Sequence, residues 1–212
     1  MPLVEAGYTL FSVNHRATPR FKYPAAVEDV QRAVRFVRYH AQRFGIRAER
    51  IGTIGGSSGG HLVSLLGVLD GKGDGEDESP INRVSARVQC VVARAAPTDF
   101  RRMQAPHFLD VRHQPDASPA SQEEHIIAEA SPITHVCADS PPFLLIHGEQ
   151  DDIVPIAQSE RFAAALAAAG VPVQLIRVPG AGHGPSLPGA TQPVNIGLEA
   201  VAWMNRYLKS SL

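Results

Sequence analysis

The stretch RIGTIGGSSGG at residues 50–60 decides the fold of this chain. It runs from a short β-rich segment into a glycine-rich turn, and an apolar helical pattern follows. Within it, residues 56–60 match G-x-S-x-G, the nucleophile elbow, with Ser58 at the centre and Ser57 as a polar turn residue. The small flanking residues fit the sharp turn that this motif requires. Phosphate binding is the alternative for such a turn, but neither G-x-G-x-x-G nor G-K-[ST] occurs.

Strand and helix patterns alternate along the rest of the chain. The runs at 88–93 and 143–146 are almost continuously apolar, as expected of strands that are covered on both faces. The sequence therefore predicts an α/β fold with a mostly parallel sheet and helices on both faces. The predicted strands are 8–13, 51–54, 88–93, 143–146 and 173–178, and the predicted helices are 24–44, 58–69, 155–169 and 194–208.

Composition narrows the possible functions. The chain has 212 residues, two cysteines and a formal charge of −1, which argues against a protein built to bind nucleic acid or anionic lipid. No apolar run is long enough for a membrane helix, and the first residues lack a signal-peptide pattern. We expect a single catalytic domain over residues 1–212 that is cytoplasmic as given, with no metal, because HExxH and other ligand spacings are absent.

Two further loops follow predicted strands, where parallel sheets place their sites. HGEQDDIVP at 147–155 contains Asp151, and PGAGHG at 179–184 contains His183. A serine nucleophile needs a histidine base, and that histidine needs a carboxylate to orient it. The order Ser58, Asp151, His183 along the chain is the order of the α/β-hydrolase triad.

GGSSGGHL, HGEQDDIVP and GAGHG, in this order, resemble the α/β-hydrolase esterase and lipase group. The earlier VNHRATP and YPAAVED stretches resemble a segment of acetyl esterases and hormone-sensitive-lipase-like carboxylesterases. The resemblance implies the α/β-hydrolase fold with little or no cap and no cofactor. It implies Ser58 as nucleophile, Asp151 as acid, His183 as base and the backbone N–H of Gly59 as an oxyanion donor. For four residues of the VNHRATP and YPAAVED stretches the resemblance implies an architectural role: Arg16, Pro19, Pro24 and Asp29.

The chain departs from that group in two places. Members usually read G-D-S-A-G-G, so that Ser57 would replace Asp and Gly59 would replace Ala. More seriously, there is no HGG turn, which in the group supplies oxyanion donors after the third strand. We therefore expect an N-terminally shortened sheet that lacks a central strand, and that either re-pairs or is completed by a second copy or another chain. In a longer parent chain the localisation would be open.

These features predict a serine hydrolase of small, short-acyl carboxylic esters, with activity weakened by the absent HGG turn. Residues 99–135 leave room only for a small lid or surface excursion. One alternative is a peptidase like the prolyl-oligopeptidase catalytic domain, which shares the three motifs. The other is a weakly active or non-catalytic remnant that acts by binding or assembly.

Overall fold

The structure is a computed structural model that describes residues 1–103 and 119–209. Over these residues four parallel strands form one sheet in the order β1-β2-β3-β4. The prediction of an α/β fold with a parallel sheet is thereby confirmed. The strands are β1 (Gly52–Gly56), β2 (Cys90–Arg94), β3 (Phe143–Gly148) and β4 (Val173–Val178). The α-helices are α1 (Pro2–Glu5), α2 (Ala25–Tyr39), α3 (Ala41–Phe44), α4 (Ser58–Val68), α5 (Pro119–Glu129), α6 (Ala157–Ala168) and α7 (Ile196–Met204).

The central strands β2 and β3 are buried on both faces. Because side chains alternate along a strand, Val91 and Phe143 point into one hydrophobic cluster, while Val92 and Leu144 point into another. The first cluster lies under α2, α4 and α6, and the second lies under α1 and α7. This double coverage explains the continuous apolar runs in the sequence.

The predicted helix over 24–44 is two helices, α2 and α3, which meet at His40. Gly45 ends the second helix with a φ of 65°, in the left-handed region that glycine adopts readily. Arg16 and Asp29 are joined: the Arg16 backbone N–H and guanidinium both donate to the Asp29 carboxylate, at 2.7 and 3.0 Å. These bonds hold the pKa of Asp29 below its usual range.

The prediction of a strand over 8–13 is wrong. This segment is irregular, and it lacks the partner strand that a β-ladder requires. Tyr8 is held at one end, where its hydroxyl donates to Asn205 Oδ1 at 3.0 Å. Further along, the Phe11 ring lies 5.0 Å from that of Phe44. Sequence favours β-structure here, but in the described part of the chain no strand pairs with this segment, and the β1 edge lies across a groove from it.

Part of the predicted lid at 99–135 lies outside the described residues. Where it is described, it contains two 3₁₀ turns and α5. The turns are Phe100–Arg102 and Pro132–His135. Of the helices in residues 1–103 and 119–209, none is long and apolar enough to cross a membrane.

Candidate active site

The turn between β1 and α4 holds Ser57 in an unusual backbone conformation. Its φ is 55° and its ψ is −122°, a region that costs non-glycine residues conformational energy and often marks functional sites. The turn is tight enough that a Cβ on Gly55 would lie 2.3 Å from the Gly59 carbonyl oxygen. A Cβ on Gly60 would lie 2.9 Å from Ala96 Cβ. Gly55 and Gly60 are therefore required by close approach, whereas a Cβ on Gly59 would meet no atom within 4 Å.

The expectation that Ser58 is the central serine is corrected by this geometry. Ser57 directs its hydroxyl at His183, with 2.9 Å between Ser57 Oγ and His183 Nε2. Ser58 is exposed and is the first residue of α4. The sequence contains two overlapping G-x-S-x-G matches, at 55–59 and 56–60, and the sharp turn falls on the first. In the G-D-S-A-G-G pattern, Gly56 then stands for Asp and Ser58 for Ala.

Asp151 lies in the loop after β3 and is buried. Its Oδ1 accepts the backbone N–H groups of Ile153 and Val154, at 3.1 and 2.8 Å. Its Oδ2 lies 2.8 Å from His183 Nδ1. The carboxylate is thus held in place by backbone donors on one side and faces the histidine on the other. The neighbouring Asp152 is exposed and does not join this arrangement.

His183 follows β4 and connects the other two residues. Its two ring distances, to Asp151 and to Ser57, fit an imidazole whose Nδ1–H donates to the carboxylate and whose Nε2 accepts from the hydroxyl. The three side chains come from loops at the carboxyl ends of β1, β3 and β4. The structure therefore brings Asp151 and His183 together, as expected, and joins Ser57 to them.

His147 supports the Asp151 loop from inside the protein. This fully buried ring places Nδ1 2.7 Å from Ser159 Oγ and Nε2 2.7 Å from the Val154 carbonyl oxygen. Burial lowers its pKa, so the ring is neutral near pH 7. The 3.4 Å approach of Nε2 to Asp151 Oδ2 is therefore not an ion pair, and His147 acts as a structural bridge.

The sequence predicts Gly59 as oxyanion donor because it is the residue after Ser58. Since the serine beside His183 is Ser57, the corresponding position moves back by one residue. The residue after Ser57 is Ser58, at the N-terminus of α4, and the first N–H groups of a helix have no partner within it. The positive end of the helix dipole lies at the same place. The backbone N–H of Ser58 thus stands at the position of the elbow's donor, whereas Gly59 is one of the residues that line a groove beside β1.

Arg94 is a residue of this site that the sequence did not reveal. It ends β2, pairs in register with Gly56, and its carbonyl oxygen accepts the Ser57 N–H at 2.8 Å. Its Nη1 donates to the carbonyl oxygen of Gly184, the neighbour of His183, at 2.8 Å. A charge directly after a buried apolar run, at the carboxyl end of a strand, is the signal that could have identified it.

No group of three His, Cys, Asp or Glu side chains with the arrangement of a metal site occurs among residues 1–103 and 119–209. The site's polar groups are instead used in the line from Ser57 to Asp151. Such a line can move a proton from a hydroxyl to an imidazole beside a fixed carboxylate.

Comparison with known proteins places these residues in a family. Residues 1–166 match the model of the BD-FAE family, a range that includes Ser57 and Asp151 and ends before His183. The relatives include esterases from Mycobacterium tuberculosis. A probable carboxylic ester hydrolase, LipM, is 33% identical over 76% of this chain, and the esterase LipQ is 32% identical over 85%. The chain spans only 38% and 44% of the length of these two relatives.

Solved structures agree with the fold. An acetyl ester-xyloside bifunctional hydrolase from Caldicellulosiruptor lactoaceticus is 32% identical, with a TM-score of 0.84. The match covers 97% of this chain and 74% of that one. A truncated carbohydrate esterase from gut microbiota is 28% identical, with a TM-score of 0.80 over 99% of this chain and 77% of that one. These likenesses confirm the α/β-hydrolase fold that the three motifs predicted.

Proposed function

Because the chain belongs to the BD-FAE family, we propose that it is a serine hydrolase that cleaves small carboxylic esters through an acyl-enzyme on Ser57. The observation that carries this proposal is the continuous hydrogen-bonded line from Ser57 Oγ through the His183 ring to Asp151. Relatives named as ester hydrolases support ester cleavage. The solved relative from Caldicellulosiruptor lactoaceticus, an acetyl ester hydrolase, supports a short acyl group.

In the proposed mechanism each of the three side chains has a step that fits its position in the hydrogen-bonded line. His183 Nε2 takes the proton of Ser57 as its oxygen attacks the ester carbonyl, and Asp151 stabilises the imidazolium that forms. The Ser58 N–H faces the developing oxyanion at the positive end of α4. His183 then protonates the leaving alcohol. Water hydrolyses the acyl-enzyme by the reverse proton path, which restores the Ser57 hydroxyl.

The two adjacent serines provide a matched test. A fluorophosphonate probe should label the wild-type chain on Ser57, and 4-nitrophenyl acetate should be hydrolysed. Ser57→Ala should abolish labelling and lower kcat by about 10⁴-fold or more, whereas Ser58→Ala keeps the backbone N–H and should retain most activity. Labelling on Ser58, or hydrolysis of peptide anilides but not esters, would contradict the proposal. An unreactive wild-type chain would identify a non-catalytic remnant.

The open edge of β1 supports a proposal about assembly. The Ile51 carbonyl accepts the N–H of Gln89, just before β2, and the Ser57 N–H donates to the carbonyl of Arg94, at the end of β2. Because backbone groups alternate in direction along a strand, the N–H and C=O of Ile54 face away from β2. That side is an open groove of about 830 Å³ between β1, α2 and residues 8–13. Leu10 and Phe11, on the segment across the groove, are about 40% exposed.

We propose that a second copy of the chain completes the sheet there, with its β-prone segment 8–13 pairing along the open edge. Each copy would offer one unpaired segment and one unpaired edge, so the contact satisfies both. Sedimentation should show a dimer that forms as concentration rises. Ile54→Lys places a charge on the edge and should shift the chain to monomer, whereas the exposed control Leu198→Lys on α7 should not. A wild-type monomer at every concentration would contradict this proposal.

A further inference from the structure

The Arg94 side chain lies between the serine turn and the histidine loop. Its guanidinium rests flat against Gly56, because a Cβ built on that glycine would lie 2.3 Å from Nη2 and 2.9 Å from Cζ. Its Nη1 donates to the Gly184 carbonyl oxygen, directly after His183. One side chain thus touches the residue before Ser57 and the residue after His183.

Gly56 and Arg94 are complementary in shape. They are register partners at the ends of β1 and β2, and the planar guanidinium occupies the space that a side chain at position 56 would fill. The main chain of Arg94 adds a second link, since its carbonyl oxygen accepts the Ser57 N–H. Arg94 therefore fixes the serine through its backbone and reaches the histidine loop through its side chain.

The charge of Arg94 interacts with that of Asp151 but forms no ion pair within the described part of the chain. The ion pairs of residues 1–103 and 119–209 include none to Arg94, and the residue is only partly exposed. Burial lowers its pKa, and the negative charge of Asp151 opposes that shift. Among residues 1–103 and 119–209 its guanidinium donates to a neutral carbonyl and has no ion pair, so the charge of Asp151 is the favourable interaction that offsets its partial desolvation.

We propose that Arg94 is a positioning residue that holds the His183 loop at hydrogen-bonding distance from Ser57. This inference rests on the proposed function. It assigns to a β2 residue the task of keeping the base and the nucleophile in register, since the two arrive from strands that are not neighbours. Small displacements of a base from its nucleophile are expensive, with about 10²-fold in rate lost for about 1 Å.

Removal of the side chain should mainly affect turnover. We expect Arg94→Ala to lower kcat for 4-nitrophenyl acetate by about 10²-fold with a KM change below about threefold. Added guanidinium chloride, below denaturing concentration, should restore part of kcat in Arg94→Ala and in no other variant. The matched control is Arg38→Ala. Arg38 is another partly buried arginine that donates to backbone carbonyls, those of Ala48 and Arg87, but its loss should lower stability without lowering kcat.

Gly56→Ala provides a second test in case Arg94→Ala fails to fold. The new methyl group should displace the guanidinium and lower kcat while Arg94 is still present. In the double variant Gly56→Ala/Arg94→Ala the methyl has room, so the two effects should not add. Wild-type kcat in Arg94→Ala, additive effects in the double variant, or a rise in KM alone would overturn the inference. Absence of Ser57 labelling in the wild-type chain would instead refute the proposed function.

Discussion

The two sides of β1 differ in how completely their polar groups are used. On the β2 side the ladder is paired, Ser57 N–H is bonded to Arg94, and Ser57, His183 and Asp151 form one line. On the other side the edge faces a groove, and Leu10 and Phe11 across it are exposed. The three reactive side chains lie on the β2 side, which we call the saturated side because its backbone and side-chain polar groups are hydrogen-bonded. Groups that already have their hydrogen-bond partners keep fixed distances from one another, as the reaction requires.

The largest expected effect tests the saturated side at its carboxylate. Asp151→Asn should keep the shape of the loop but favour the wrong histidine tautomer, so that kcat falls by about 10⁴-fold. The neighbouring Asp152→Asn changes an exposed carboxylate and should leave kcat within about twofold. Ester hydrolysis assays on both variants check the prediction. Equal losses in the two would show that the Asp151–His183 contact does not matter for turnover.

Acid should weaken the saturated side through His61. This buried ring has its pKa lowered to about 4 by burial, and its Nε2 lies 2.7 Å from the Ala130 carbonyl oxygen. In the unfolded chain the pKa of this histidine is about 6.5, so between about pH 4 and 6.5 the unfolded chain binds more protons than the folded chain. The contribution of neutral His61 to the free energy of unfolding is therefore complete above about pH 6.5 and is lost as pH falls towards 4. The loss should reach about 3 kcal/mol.

Denaturant unfolding at several pH values measures this loss. His61→Gln should flatten the dependence between about pH 4 and 6.5, whereas His125→Gln, an exposed histidine on α5, should leave it unchanged. A wild-type stability that is constant across this window would refute the assignment.

A smaller effect is expected at the bridge behind Asp151. Ser159→Ala removes the partner of His147 Nδ1 and leaves a buried ring nitrogen unsatisfied, which should cost about 1–3 kcal/mol of unfolding free energy. Because His147 still donates to Val154, the Asp151 loop should stay in place and kcat should change by less than about threefold. A large fall in kcat with unchanged stability would mean that Ser159 acts on the reaction itself.

The smallest effect is expected on the open side. Phe11→Ser removes a half-exposed ring from the groove, and in dilute solution the unfolding free energy should change by no more than about 1 kcal/mol, with kcat unchanged. A loss above about 2 kcal/mol would show that the segment packs tightly after all, and would remove the contrast between the two sides.

Much of the fold could be predicted because its signals are local. The apolar runs around Val91 and Leu144 specify buried strands, since only a strand covered on both faces leaves no polar alternation. The prediction of a strand over 8–13 failed because strand pairing is not a local property. The β-propensity of this segment is real, but a strand forms only with a partner, and pairing is a property of the assembled sheet.

The sequence by itself determined the α/β pattern, the family motifs, and Asp151 and His183 as a carboxylate and an imidazole after successive strands. It could not choose between Ser57 and Ser58, because residues 55–60 satisfy G-x-S-x-G twice. The tertiary structure decided for Ser57, which alone combines a positive φ with a hydroxyl 2.9 Å from His183 Nε2. It also revealed Arg94, since a contact between the ends of two strands and a distant loop exists only after the chain has folded.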